Sequence, residues 1–200
     1  DLSPLWTVAE VVAATGGRPE GLSDGEISAV SIDSREIVPD ALFVAIRGET
    51  HDGHDFVGKA IEAGAAAALM SEAHFSALGG QKLIVVPDPL RALEALGTAA
   101  RARSRAEIVA VTGSAGKTTT KEAIRTALSP SGLVHASIKS FNNHWGVPLM
   151  LARMPRETQF GVFEIGMNHA GEITPLVKLV RPHIAVITTV AAAHLQFFNS

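Results

Sequence analysis

In the stretch IVAVTGSAGKTTTKEAI, residues 108–124, Gly113, Gly116, Lys117 and Thr118 stand at spacings that suit phosphate chemistry. An apolar run enters a Gly-rich loop, and the loop opens onto a helical pattern. Backbone N–H groups from Ser114 through Ala115 and Gly116 to Lys117 then converge on a phosphate at the positive end of that helix. Lys117 suits the β and γ oxygens, and the hydroxyl of Thr118, with Thr119 beside it, suits Mg2+. The common form of this loop separates its glycines by four residues. Here two separate them, and Val111 stands where the first glycine would fall. A plain strand-to-helix turn is the competing reading of these residues alone.

Two further polar residues stand at the ends of apolar runs. Glu164 ends FGVFE, and His194 follows IAVITTVAAA. In an open α/β sheet, ligands bind outside the carboxyl ends of the strands, so one cleft can hold Lys117, Glu164 and His194 together. A carboxylate and a neutral imidazole there suit Mg2+ around the phosphates of ATP. Taken alone, Glu164 reads equally as an ion-pair partner, and His194 as a hydrogen-bonded residue at a helix start. KSFNNHWGVPL, residues 139–149, makes poor regular structure; with Asn142 and Asn143 it forms either a shaped polar loop for a sugar or peptide, or an Asn-rich turn. SIDSREI and IRGETHDGHDF place Ser31, Asp33, Ser34, Arg35, Gly48, Glu49 and Thr50 in small loops after strands. Such loops could receive a uridine diphosphate, as could many loops with no ligand.

The elements that carry these residues alternate. Thr7 and Glu10 make a capping box before VAEVVAAT, and Gly16 and Gly17 end that helix. ISAVSI, ALFVAI, AAAALM and KLIVVP read as strands, with a helix at FVGKAIEAG. Asp88 followed by Pro89 starts the helix LRALEALGTAARARS. EIVAVTG and FGVFEIG then read as strands. TTTKEAIRTAL is a helix with Ala123, Ile124, Ala127 and Leu128 on one face. Thr174-Pro175 starts a short helix that Arg181-Pro182 stops, and IAVITTV is a parallel strand covered on both faces. The fold class is therefore α/β: a small N-terminal α/β module, residues 1–86, then a parallel-sheet phosphate-loop domain, residues 87–200.

Composition narrows the class. The chain has 200 residues, no cysteine and a formal charge of −3. No disulfide scaffold or cysteine-bound zinc site is available, and no basic block marks a nucleic-acid face. The apolar run AGAAAALM is too short to span a bilayer. The first residues lack the basic start of a signal peptide. The expectation is a cytoplasmic monomer with no membrane span and no nucleic-acid partner.

TGSAGKTT resembles the phosphate loop of the Mur ligase family, whose short form is T-G-x-x-G-K-T. DSREIVPDALFVAIRGETHDGHDF, NNHWGVPLMLARMP, FEIGMNHAGEI and AAAHLQFF extend the resemblance over essentially the whole chain. They are most similar to the member that joins D-alanyl-D-alanine to a UDP-MurNAc-tripeptide, with FEIGMNHAGEI as the discriminating stretch. The resemblance implies an ATP-dependent, ADP-forming acid–amino-acid ligase of peptidoglycan synthesis. ATP would phosphorylate the terminal carboxylate of the tripeptide, the dipeptide amine would attack the acyl phosphate, and the intermediate would collapse to amide, ADP and phosphate. It also implies residue roles. Thr118 and Glu164 would hold one Mg2+ and His194 would help hold a second. Ser31, Asp33, Ser34, Arg35 and the Gly48–Thr50 turn would contact the UDP end. Asn142 and Asn143 would face the muramoyl-peptide and the reacting phosphate.

The chain departs from the family in two places. Members often have Gly-Asn where Lys139 and Ser140 stand. They also carry a carbamylated lysine and a third domain beyond the position of His194, and this sequence stops at Ser200 before either. The expectation is a fragment that does not ligate by itself. Three other readings compete: the preceding ligase of the same family, a non-catalytic nucleotide-binding module, and a small-molecule kinase.

Overall fold

The structure is a computed structural model, and it describes residues 3–78 and 82–191. It falls into two compact units, residues 1–96 and 97–200.

In the first unit a two-stranded pair, β1 (Trp6–Thr7) with β3 (Glu26–Ile27), flanks helix α1 (Val8–Thr15). The expected capping box is present: Glu10 N donates to Thr7 Oγ1 at 3.2 Å, and Thr7 N to Glu10 Oε2 at 2.9 Å. Gly16, at φ 67°, ends the helix in the left-handed conformation. The main sheet contains β2 (Arg18–Glu20), β4 (Ala29–Ser31), β5 (Ala41–Val44), β6 (Ala67–Ser71) and β7 (Leu83–Val86). Its order is β2-β7-β6-β5-β4; every pairing is parallel except that of edge strand β2 with β7. Helices α2 (Val57–Glu62) and α3 (Glu72–Leu78) connect strands. Phe43, Ala68, Met70, Leu83 and Val85 pack with Val57 and Ala60 into one core. Strands β5, β6 and β7 are buried throughout, which is why they read as unbroken apolar runs.

Helix α4 (Pro89–Arg103) starts where Asp88-Pro89 signals it: Asp88 Oδ1 accepts from Leu90 N at 2.9 Å and Arg91 N at 3.2 Å. The second unit holds β8 (Glu107–Thr112), α5 (Lys117–Leu128), β9 (Val134–Ala136), α6 (Gly146–Ala152), β10 (Phe160–Glu164), α7 (Ile173–Val180) and β11 (Ile184–Ile187). Its four strands run parallel in the order β11-β8-β10-β9. Alternate residues of β8 face opposite ways. Ile108 and Ala110 join α6, α7 and Phe163, whereas Val109 and Val111 join Ile124, Leu128 and Val162. Both faces of the sheet are thus covered there. Arg101, buried on α4, caps α7, its Nε donating to Val180 O at 2.7 Å and its Nη2 to Arg181 O at 2.9 Å. Among the described residues no helix is long and apolar enough to cross a membrane.

Three local expectations are corrected. GVPLMLA is a helix, α6, with every residue buried. Pro148 stands in its first turn, where a missing N–H costs little, and tertiary burial overrides the turn signal. The inward stripe of α5 is Lys121, Ile124 and Leu128, while Ala123 and Ala127 are exposed. Strand β11 stands at the edge of the described sheet, with Ile184 58% and Ile187 65% exposed, rather than covered on both faces.

His135 on β9 makes this unit acid-sensitive. Its Nε2–H donates to the Met150 carbonyl at 2.7 Å, and its ring packs 5.9 Å from that of Phe163. Burial lowers its pKa to about 4, against the raising effect of the Met150 hydrogen bond. A histidine depressed in the folded state contributes stability above its unfolded pKa near 6.5 and loses it as pH falls toward 4. Urea denaturation should show native stability dropping by up to about 3 kcal/mol across that window from this group. His135→Gln should flatten that part of the profile; an unchanged slope would contradict the assignment.

Candidate functional site

All described strands of the second unit point the same way, so their carboxyl ends share one edge. Thr112 leads off β8 into the loop 113–116, and Glu164 ends β10 beside it. Between them lies a cleft of about 310 Å3, lined by Gly116, Lys117, Thr118, Thr119, Asn142, Glu164 and Asn168.

The loop is held by contacts that its own sequence does not announce. Gly113 adopts φ 143°, and Gly116, at φ 80°, precedes the first residue of α5. Lys117 Nζ donates to the Gly113 carbonyl at 2.7 Å, closing the loop over its start. A strap after β11 crosses the loop: Thr188 Oγ1 donates to Ala115 O at 2.5 Å, and Ser114 N donates to Thr189 O at 2.8 Å. The Ser114 amide, expected among the phosphate donors, is therefore committed to the strap. The first-turn amides of α5 have no partner within the helix, and Lys117, Thr118 and Thr119 line the cleft.

Glu164 is 3% exposed, yet its carboxylate meets neutral donors: Thr118 Oγ1 at 3.1 Å on Oε2 and Asn142 Nδ2 at 3.0 Å on Oε1. Among the described residues no Lys, Arg or His pairs with it. A buried carboxylate without a counter-charge is costly and calls for a cation. The hard oxygens of Glu164 and the Thr118 hydroxyl suit Mg2+ rather than a softer metal. Asn142 is brought into the cleft, and its carbonyl also accepts from Gly166 N at 2.7 Å. Asn143 does different work, its Oδ1 accepting from Gly146 N at 2.9 Å at the start of α6. Gly146 is required there, because an added Cβ would come 2.6 Å from the Phe141 backbone. Lys139 takes φ 51°, a conformation that favours glycine. His194 lies outside the described residues.

In the first unit Ser31 ends β4, and Gly48, Glu49 and Thr50 lie in the loop that follows β5, so both stretches gather at one carboxyl edge. Ser31, 2% exposed, is committed to the loop; its Oγ donates to Asp33 O and accepts from Asp33 N, both at 3.1 Å. Asp33 caps the short 3-10 turn Ser34–Glu36 and chelates Arg35, whose Nε lies 2.9 Å from Oδ1 and Nη2 2.7 Å from Oδ2. The Arg35 side chain is 86% exposed, which leaves the outer edge of the guanidinium open to an anion.

The Gly48–Thr50 turn is closed by Gly48 N donating to His51 O at 2.9 Å. Behind it, Ser71 N donates to Nε2 of buried His54 at 3.0 Å, so the ring proton sits on Nδ1 and goes to Asp52 Oδ1 at 2.6 Å. His74 stacks on His54 at 3.9 Å. Asp52, His54 and His74 lie close enough to suggest a metal site. With both His54 nitrogens engaged, the group reads as a hydrogen-bonded brace instead.

Reading the residues in order misses Lys121, Ser137, Asn168, Thr188 and Thr189. The signal for the last two was present: a threonine pair ends the apolar run of β11, as Glu164 ends that of β10.

Residues 26–87 match the Mur ligase family catalytic domain, and residues 111–200 the Mur ligase middle domain. The chain is 40% identical over 171 residues to the UDP-N-acetylmuramoyl-tripeptide–D-alanyl-D-alanine ligase of Rickettsia prowazekii, covering 86% of this chain and 38% of that protein. It is 38% identical to the Bacillus subtilis ligase of the same name, covering 96% and 42%. Among solved structures it is similar to MurF from Acinetobacter baumannii, with TM-score 0.87 and 35% identity over 100% of this chain and 44% of that one. MurF ligase from Thermotoga maritima in complex with ADP gives TM-score 0.73 and 30% identity, covering 86% and 40%. The chain thus spans about two-fifths of the length of these relatives.

Proposed function

The chain belongs to the Mur ligase family, and from that premise we propose that it supplies the precursor-binding and phosphate-binding units of an ATP-dependent ligase joining D-alanyl-D-alanine to UDP-MurNAc-tripeptide. The relatives carry that name, and the FEIGMNHAGEI stretch, by its resemblance to this member of the family, supports the same reading. The observation that carries the reading is Glu164: a buried carboxylate with no cationic partner among the described residues, set beside Thr118 and the phosphate loop.

In this reading the amides at the start of α5 and Lys117 bind the phosphates of ATP, and Gly113 and Gly116 let the backbone come close to them. Glu164 and Thr118 hold Mg2+, and His194 belongs to a second metal position by resemblance. The metal supplies charge neutralisation at the phosphates when bound. Asn142 orients the Glu164 carboxylate toward Thr118 and stands next to the acceptor carboxylate. Asn143 holds the start of α6 and fixes Asn142 through the loop they share. Ser31, Asp33, Ser34 and Arg35, with Gly48, Glu49 and Thr50, receive the UDP end; Arg35, pre-oriented on Asp33, offers the diphosphate a fork of donors. A cytoplasmic location, where ATP and the precursor meet, is part of the same proposal.

Calorimetric titration of the folded chain with UDP-MurNAc-tripeptide, with UDP and GTP as controls, tests the precursor site. Saturable binding is expected, weakened about tenfold to a hundredfold by Arg35→Ala. Binding that ignores Arg35→Ala, or equal binding of GTP, would sink the placement.

A further inference from the structure

Lysine is seldom fully buried, and Lys121, one turn beyond Lys117, is 2% exposed. Its Nζ donates to the Ser137 carbonyl at 2.6 Å and pairs with Glu122 Oε1 at 2.8 Å. Ser137, 1% exposed, directly follows β9. The β9–β10 register ends with Ala136 opposite Val162, so the next pair in line is Ser137 opposite Phe163. In a regular parallel ladder the N–H of Ser137 would donate to Val162 O, and its carbonyl would accept from Glu164 N. The first bond is present at 2.9 Å. The second is exchanged: Glu164 N donates to Ser137 Oγ at 3.1 Å, and the freed carbonyl goes to Lys121.

We propose that Lys121 and Ser137 form a latch that ends the β9–β10 ladder one rung early, and that Lys121 is thereby a positioning residue for the Glu164 carboxylate. The serine hydroxyl replaces its own carbonyl as the acceptor for Glu164, so β10 keeps its last amide satisfied. The carbonyl, turned toward α5, directs the chain out of the sheet into the segment 138–142. That segment brings Asn142 onto Glu164 Oε1 at 3.0 Å and onto Gly166 N at 2.7 Å. The same helix carries Thr118, which holds the other carboxylate oxygen. One short stretch of α5 therefore sets both the contact to Glu164 and the strand exit that delivers Asn142. Without Lys121 the Ser137 carbonyl would be a buried acceptor lacking a donor, and the nearest remedy is the ladder bond from Glu164 N. Closing that rung redirects the exit and draws Asn142 off the carboxylate.

This inference rests on the reading of the cleft as a Mg2+-nucleotide site, and the test separates the two. ADP affinity of the chain is measured with and without Mg2+, alongside hydrogen exchange of the Glu164 amide, for the native protein and for Lys121→Met, Ser137→Ala, Ser137→Thr and the Lys121→Met/Ser137→Ala double variant. The Mg2+ enhancement should fall about tenfold in Lys121→Met and in Ser137→Ala, as expected for a lost hydrogen bond at the carboxylate. Metal-free ADP affinity should stay within about twofold, because the loop 113–116 is untouched, and Ser137→Thr should retain the enhancement. The Glu164 amide should exchange about tenfold faster in Ser137→Ala. It should regain protection in the double variant, where the regular rung can form, while the enhancement stays lost. Methionine fills the lysine stem's space, so the variants should fold. An intact enhancement in both single variants overturns the latch, as does an unprotected Glu164 amide in the double variant. Absence of Mg2+-dependent ADP binding by the native protein overturns the nucleotide reading instead, and the exchange results then decide the latch by themselves.

Discussion

Gly113→Ala should abolish measurable nucleotide binding by the chain, a loss of at least ~100-fold, corresponding to the strain of a misplaced loop. Two independent facts set the size of the effect. Gly113 has φ 143°, a backbone conformation that residues with a Cβ rarely adopt. A Cβ placed there would also stand 2.0 Å from Thr188 Oγ1 and 3.1 Å from the Thr189 backbone. The clash falls on the strap that holds Ala115 and Ser114, so relieving it by moving Thr188 unties the loop. Shortening Thr188 should relieve the clash but neither the dihedral nor the loss of the hydroxyl that holds Ala115. Thr188→Ala added to Gly113→Ala should therefore restore only part of the affinity. Titration with ADP and Mg2+ decides it; native-like binding by Gly113→Ala would mean that the loop does not need its observed shape.

Glu164→Ala should remove the Mg2+ enhancement of ADP binding, a loss on the order of tenfold to a hundredfold, while leaving the folded state as stable as before within about 1 kcal/mol. The contrast matters because a carboxylate serving the fold would behave otherwise. Breaking a buried ion pair costs about 3–5 kcal/mol, since a charge is left behind. Glu164 has only neutral donors among the described residues, and both of its partners line an open cleft where water can replace it. Removing it relieves a desolvated charge, which is the usual sign of a site maintained for binding at the expense of stability. Glu164→Gln should keep the contact from Asn142 to its amide oxygen and, with the Thr118 hydroxyl accepting instead of donating, the contact to Thr118, and still lose the enhancement. A large drop in melting temperature for Glu164→Ala, with the metal effect intact, would make the residue structural.

The residues that read clearly from the chain are those whose chemistry is local. Thr7 with Glu10 and Asp88 with Pro89 give their helix starts at the expected positions, because a cap needs only a few neighbouring residues. The apolar runs of β5, β6 and β7 are legible because parallel strands covered on both faces leave no polar alternation. The two-residue strands β1 and β3 are not legible, being too short for any period to show. Helix α6 is hidden by its Gly-Val-Pro start, a turn signal that complete burial outweighs.

The sequence by itself determined the Gly-rich loop between strand and helix, the carboxylate at the end of β10, the α/β class and the family, since each rests on adjacent residues or on stretches that the family models match. Only the tertiary structure decided how the cleft is braced. The contacts of Lys121 with Ser137, of Asn142 with Glu164 and of Thr188 with Ala115 join residues 16, 22 and 73 positions apart. No helical or strand period relates such pairs. They arise where the carboxyl ends of parallel strands converge, and each residue there finds its partner only after the sheet has formed.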